Sequence, residues 1–320
     1  MHRAEILGVA GAALLLCAGC GGDGAPAAGA RGVIGVSVLT LTNPFFKDIA
    51  DTITLEAGKH GYDVIAVSGE EDPPTQKNQI KNFIVKKVKA LVLCPCDSNA
   101  IASAIGEAND AGIPVFTADI ACNDPSVRVV SHVATDNYGG GKLAAEAIVE
   151  ALGGKGAVAI LDYPEVESVQ FRTKGFLERL EELNASPDVD VTVVARQTGK
   201  GDKKASYDAT QGILQAHPEI KGIFAINDPS ALGAVAALEK QGRLGEIAIV
   251  GFDGQPEGKE AIRAGKIYAD PIQFPREIAR KTVEAIMQYF DGTAPEKEIR
   301  IPTALYRKAD AENDPELAGR

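Results

Sequence analysis

The sequence predicts an α/β protein of two doubly wound parallel-sheet domains, and three observations carry that expectation. Short β-branched runs alternate with helical patterns, the spacing that builds parallel sheets from βα units. The alternation pauses at 129–137 and restarts, so the units fall into two sets of ordinary domain size. The 320 residues are 45% apolar and 24% charged, enough for two hydrophobic cores.

In the first set, the run at 33–38 is apolar on both faces and reads as a buried parallel strand. A helical pattern follows, with Phe46, Ile49, Ile53 and Ala57 at three- and four-residue steps and Pro44 near its first turn. Strands are expected at 62–67, 90–93 and 113–117, and helices at 76–85 and 98–111. In the second set, strands at 157–161, 189–195, 222–226 and 247–251 alternate with helices at 139–152, 169–183, 205–216 and 229–241. The chain is then extended at 269–273, helical at 275–290 and extended again at 299–306. That order predicts crossings between domains near 135–136, 273–274 and 301–302. The expected partition is 33–135 with 274–301 for the first domain, 136–273 with 302–310 for the second, and a tail at 311–320.

Residues 1–19 read as a signal peptide, a weakly positive start followed by an apolar run too short to span a bilayer. The run ends in Cys17-Ala18-Gly19-Cys20, which resembles a bacterial lipoprotein signal and implies lipidation at Cys20. Cys17 stands where that pattern usually has Leu, and an ordinary cleaved secretory peptide is the alternative. Residues 20–32, rich in Gly, Ala and Pro, would be a flexible tether. A net charge of −11 argues against nucleic acid, whose binders cluster Lys and Arg on phosphates.

Ligands of α/β sheets bind at the carboxyl ends of strands. After the first strand that edge offers the amide of Asn43 and the rings of Phe45 and Phe46. Rings pack on the C–H faces of a polyhydroxylated molecule while an amide takes directed bonds from its hydroxyls. No nucleophile and base pair stands out, and no phosphate loop appears. No enzyme activity, cofactor or metal is therefore expected. Cys94, Cys96 and Cys122 end consecutive strands, leaving a disulfide among them, free buried thiols or, with His132, a metal site as the alternatives.

Five ordered strings are more specific: TNPFF at 42–46, VVSHVATDNYGGGKLAAE at 129–146, AHPEIKGIFAINDPSALGAVAALEKQG at 216–242, IVGFDGQPEG at 249–258 and IQFP at 272–275. Together they resemble the ribose-binding-protein group of periplasmic receptors for ABC importers, whose core is shared with lactose-repressor-type regulators. The resemblance implies a type I periplasmic binding protein whose domains close on a sugar by hinge bending and present it to a membrane permease. It implies ligand contacts at Asn43, Phe45, Phe46, Asp119, Asn227, Asp253 and Gln273. Gln170 stands where the group has an arginine two residues before Arg172, and is taken as a further contact. Other departures are Ile120 in place of Arg, Leu39 in place of a small polar residue, and Gly201 near the position of an aromatic lid. Leu39, Ile120 and Tyr163 are therefore candidate wall residues, with Glu165 and Glu167 beside Tyr163. The site so assembled holds carboxylates against no assigned cation, which points to a neutral sugar or polyol other than free ribose. A monomer, exported and held at the membrane only through Cys20, is expected. A sensor for a chemoreceptor or kinase is the rival role; a transcription regulator lacks a helix-turn-helix here, and an exported enzyme would turn its ligand over.

Overall fold

The computed structural model describes Met1 and residues 31–318. The signal peptide, Cys20 and most of the expected tether lie outside the described residues.

The first sheet forms from β1 (Val33–Val38), β2 (Asp63–Ser68), β3 (Ala90–Leu93), β4 (Val115–Ala118) and β5 (Ser131–Thr135). Their crossovers are α1 (Pro44–Lys59), α2 (Pro73–Val85) and α3 (Ala102–Asp110). The second sheet forms from β6 (Lys155–Asp162), β7 (Asp190–Thr198), β8 (Ile220–Ala225), β9 (Ala248–Val250) and β10 (Ala269–Pro271). Around it lie α4 (Asn137–Ala151), α5 (Glu167–Asn184), α6 (Lys203–Ala216), α7 (Asp228–Lys240) and α8 (Pro256–Arg263). The chain then supplies α9 (Pro275–Phe290), β11 (Glu298–Ile301), β12 (Leu305–Arg307) and α10 (Lys308–Glu312).

Strand order is β11-β5-β4-β3-β1-β2 in one sheet and β12-β10-β9-β8-β6-β7 in the other. All pairs are parallel except β10 with β12. Helix α9 packs on α1, β4 and β5, so it belongs with the first sheet although the strand before it belongs with the second. The chain thus passes between the sheets three times, before α4, before α9 and before β12. Parallel order carries the outcome: both sheets turn their carboxyl edges toward the gap between them, and every βα turn delivers its side chains there.

Burial explains the strand sequences. Strands β3 and β4 are covered on both faces, which is why they lack polar alternation. Helix α5 is tied down by Phe176, whose ring stacks on Phe224 of β8 at 4.6 Å and 7°. Helices α4 and α5 meet backbone to backbone: a Cβ at Gly141 would lie 2.1 Å from the Arg172 carbonyl oxygen, and one at Gly175 would lie 2.1 Å from that of Tyr138. Only glycine fits at either position.

Four expectations need correction. The segment at 129–137 contains strand β5, seated between β4 and β11. Its second neighbour arrives more than 150 residues later, so no local pattern announces it. Helix α8 was not foreseen either. Helix α3 begins at Ala102 rather than 98, because Asp97 Oδ1 accepts the N–H groups of Asn99 and Ala100 and holds a turn first. Residues 311–318 are not a loose tail. Ala311 and Leu317 are buried in the second core, and Lys259 pairs with Asp314 at 2.9 Å and Glu316 at 2.7 Å.

Candidate functional site

A cavity of about 590 Å³ lies between the carboxyl edges of the two sheets. The first-domain wall is mainly apolar. Leu39 follows β1, and Asn43 caps α1 by accepting the Phe45 N–H at 3.0 Å. The cap fixes the turn that presents Phe45 and Phe46, whose rings meet edge to face at 5.3 Å. Asp119 and Ile120 follow β4, and both are buried. Asp119 sits at φ 64, a conformation costly for a residue with a Cβ. Its N–H donates to the Val133 carbonyl at 2.8 Å, while its Oδ1 is buried without a hydrogen-bond partner among the described residues. Burial pushes its carboxyl up to about 7, nearby Asp253 adds to the rise, and Arg172 opposes it.

The second-domain wall is polar and internally bonded. Arg172 on α5 donates from Nε to Asn137 Oδ1 at 2.8 Å. Its Nη1 donates to the Ile226 carbonyl at 2.6 Å and to Asp253 Oδ1 at 3.1 Å. The guanidinium lies 3.9 Å above the Phe252 ring. Asp253, at φ 103, also accepts Gln273 Nε2 at 2.6 Å and Gln255 Nε2 at 3.0 Å. Burial raises the Asp253 carboxyl, and Arg172 and the two amides oppose that rise. Gln273 Oε1 is left unpartnered among the described residues. Asn227 caps α7 through the Ser230 N–H and donates to the Gly201 carbonyl at 3.0 Å. Beneath them, Asp228 and Asp270 are buried, and burial first, with the charge of neighbouring Asp270 next, lifts the Asp228 carboxyl well above its ordinary value. Asp228 Oδ2 accepts the Gln255 N–H at 2.5 Å.

Of the residues singled out in the sequence, Asn43, Phe45, Phe46, Asp119, Asn227, Asp253 and Gln273 all line this cavity, as do Leu39, Ile120 and Tyr163. Gln170 does not. It lies two residues from Arg172, about 200° around the helix, so only one of the two can face inward. Its amide donates instead to the Pro164 carbonyl at 2.8 Å. Glu165 and Glu167 also miss the cavity and join the domains beside it. The Ser98 N–H donates to the Glu165 carbonyl at 3.0 Å, and the Glu167 N–H to Ser98 Oγ at 2.9 Å. Arg172 is the residue the sequence reasoning passed over, and it overturns the expectation of a site without a cation. Its signal was present: with Val169 and Phe176 it falls on the buried face of α5, where a lone arginine requires a partner.

Among the described residues, no disulfide joins Cys94, Cys96 and Cys122. Cys94 and Cys96 are buried free thiols, and Cys122 is a half-buried one. Gln76 occupies the turn, donating to the Cys94 carbonyl at 3.0 Å and accepting the Cys96 N–H at 2.8 Å. Burial pushes Cys94 well up and Cys96 up to about 12, so neither is a reactive thiolate.

Fold and cavity together define a two-domain α/β protein with a cleft in which the rings of Phe45 and Phe46 face hydrogen-bonding groups across the gap between the sheets. The periplasmic binding protein domain model matches residues 34–294, and the chain belongs to that family. It is 34% identical over 273 residues to the ribose import binding protein of Bacillus subtilis, covering 85% of this chain and 86% of that one. It is 34% identical over 273 residues to the D-apiose import binding protein of Paraburkholderia graminis, covering 84% and 85%. The structure also matches an ABC transporter periplasmic solute binding protein from Actinobacillus succinogenes with bound D-allose. The TM-score is 0.80 at 29% identity, covering 89% of this chain and 100% of that one.

Proposed function

We propose that the protein captures a neutral sugar or polyol in this cleft and hands it to an ABC importer, as an exported monomer anchored at Cys20. The observation that carries the reading is the facing pair of walls. Rings on one side suit C–H faces, and the buried, unpartnered Asp119 Oδ1 and Gln273 Oε1 await hydroxyl or amide donors. A carboxylate ligand is disfavoured because the deep cation, Arg172, is already paired with Asp253. Binding without turnover is supported by relatives that are import binding proteins.

The protein is extracted from membranes, where labelled palmitate is lost on Cys20→Ala, and screened by thermal shift. The panel holds D-ribose, D-allose, D-apiose, myo-inositol, sugar acids and sugar phosphates. Stabilisation by neutral compounds is expected; stabilisation by acids or phosphates alone overturns the ligand class, and soluble, unacylated protein overturns the anchor.

A further inference from the structure

The cavity's lining divides by burial. Phe45, Asp119, Asp253 and Gln273 are almost fully buried, whereas Glu71, Lys200 and Asp202 line the same space and are exposed. We propose that this outer part is a second subsite, taking a neutral glycosyl substituent, so that the preferred ligand is a glycoside or short oligosaccharide rather than a free monosaccharide. The proposal rests on the sugar-binding reading above.

Size is the first argument. About 590 Å³ is the volume of roughly twenty waters at about 30 Å³ each, while a hexose has about a dozen heavy atoms. A ring seated on the buried groups leaves the outer end unfilled.

Unspent chemistry is the second. The side-chain polar groups of Glu71, Tyr163 and Lys200 make no hydrogen bond or ion pair with other described residues. Glu71 comes from the first domain and the other two from the second, so the mouth offers an acceptor on one side and, beside the Asp202 carboxylate, donors on the other. Hydroxyls use both, whereas a charged substituent would meet one like charge.

Backbone conformation is the third. The two facing loops each hold consecutive left-handed residues, Glu70 and Glu71 at φ 56 and Lys200 and Gly201 at φ 53 and 64. Such strain at three non-glycine positions concentrates at ligand clamps. Gly201 also bares a face for the Tyr163 ring: a Cβ there would stand 3.4 Å from Tyr163 Cδ1 and 3.0 Å from Asn227 Nδ2. The ring, only 9% exposed, is an apolar floor beside the donors.

The test is calorimetric titration of matched pairs, D-ribose, D-allose and myo-inositol each against its glucoside. In the wild type at least one glucoside is expected to bind about tenfold or more tighter than its parent. In the Glu71→Gln, Lys200→Met double variant that ratio falls to about one. Parents binding as tightly as their glucosides, or an advantage that survives the double variant, overturns the subsite. Absence of binding by both members of every pair overturns the sugar reading instead.

Discussion

Asp119 and Asp253 are buried in opposite walls of the cleft, and the two live under different rules. Asp253, on the second-domain side, is surrounded by an arginine and two amides that belong to the protein. Asp119, on the first-domain side, has a carboxylate oxygen with no partner among the described residues and is held up near 7 by burial. One aspartate is already served by the protein's own groups; the other carries an unmet demand. The difference teaches where ligand free energy originates, because an already satisfied group gains little from a new partner and an orphaned one gains the most.

The largest expected effect is on the finished wall. Arg172→Met leaves Asp253 buried without its counter-ion, a loss of about 3–5 kcal/mol when one member of a buried pair is removed. Thermal unfolding should show a large drop in Tm and ligand binding should disappear. A Tm within a degree of wild type would mean that the network is not what holds this wall.

Asp119→Asn reverses the pattern. Affinity for the best ligand should fall roughly ten- to a hundredfold, the worth of about 1.5–3 kcal/mol for a bond to a charged group, while the empty protein gains stability. The sign follows from a folded-state pKa raised from 3.8 to about 7. The native state holds this proton more tightly than the unfolded chain, so its stability is highest below 3.8 and falls as pH rises toward 7. The variant should therefore exceed the wild type in Tm at pH 8 and match it near pH 4. Equal pH profiles would show that the Asp119 carboxyl is not strained. Glu167, also pushed up to about 7, first by burial and next by the Asp119 charge, loses part of that rise in the variant, which adds to the difference in the same direction.

The smallest effect is expected where the walls meet outside the cavity. Ser98→Ala removes an acceptor for the Glu167 N–H across the domain contact, worth about 0.5–1.5 kcal/mol of closure. Affinity should weaken by about two- to tenfold with no change in ligand preference. An unchanged Kd would mean that closure depends on the ligand-lined walls alone.

Much of the site was legible locally. A strand end followed by Asn43, Pro44 and two phenylalanines announces both a helix start and an aromatic edge, because caps and strand periodicity act over a few residues. Asp253 and Asn227 were readable in the same way, as strand-end groups. What escaped depends on contacts distant in the chain. Strand β5 is seated between β4 and β11, and no residue near Ser131 encodes the later partner. The spacing of Val169 and Phe176 puts Arg172 rather than Gln170 on the buried face, but the seating of α5 decides which partners the arginine meets there. That seating is set by Gly141 and Gly175 admitting one backbone against another and by Phe176 stacking on Phe224. The sequence by itself determined the alternation of strands and helices, the apolar cores and the groups at the strand ends, since each arises from short-range sterics and periodicity. The tertiary structure alone decided which aspartate is satisfied and which is left waiting, because the partners of a buried charge come from segments far apart in the chain.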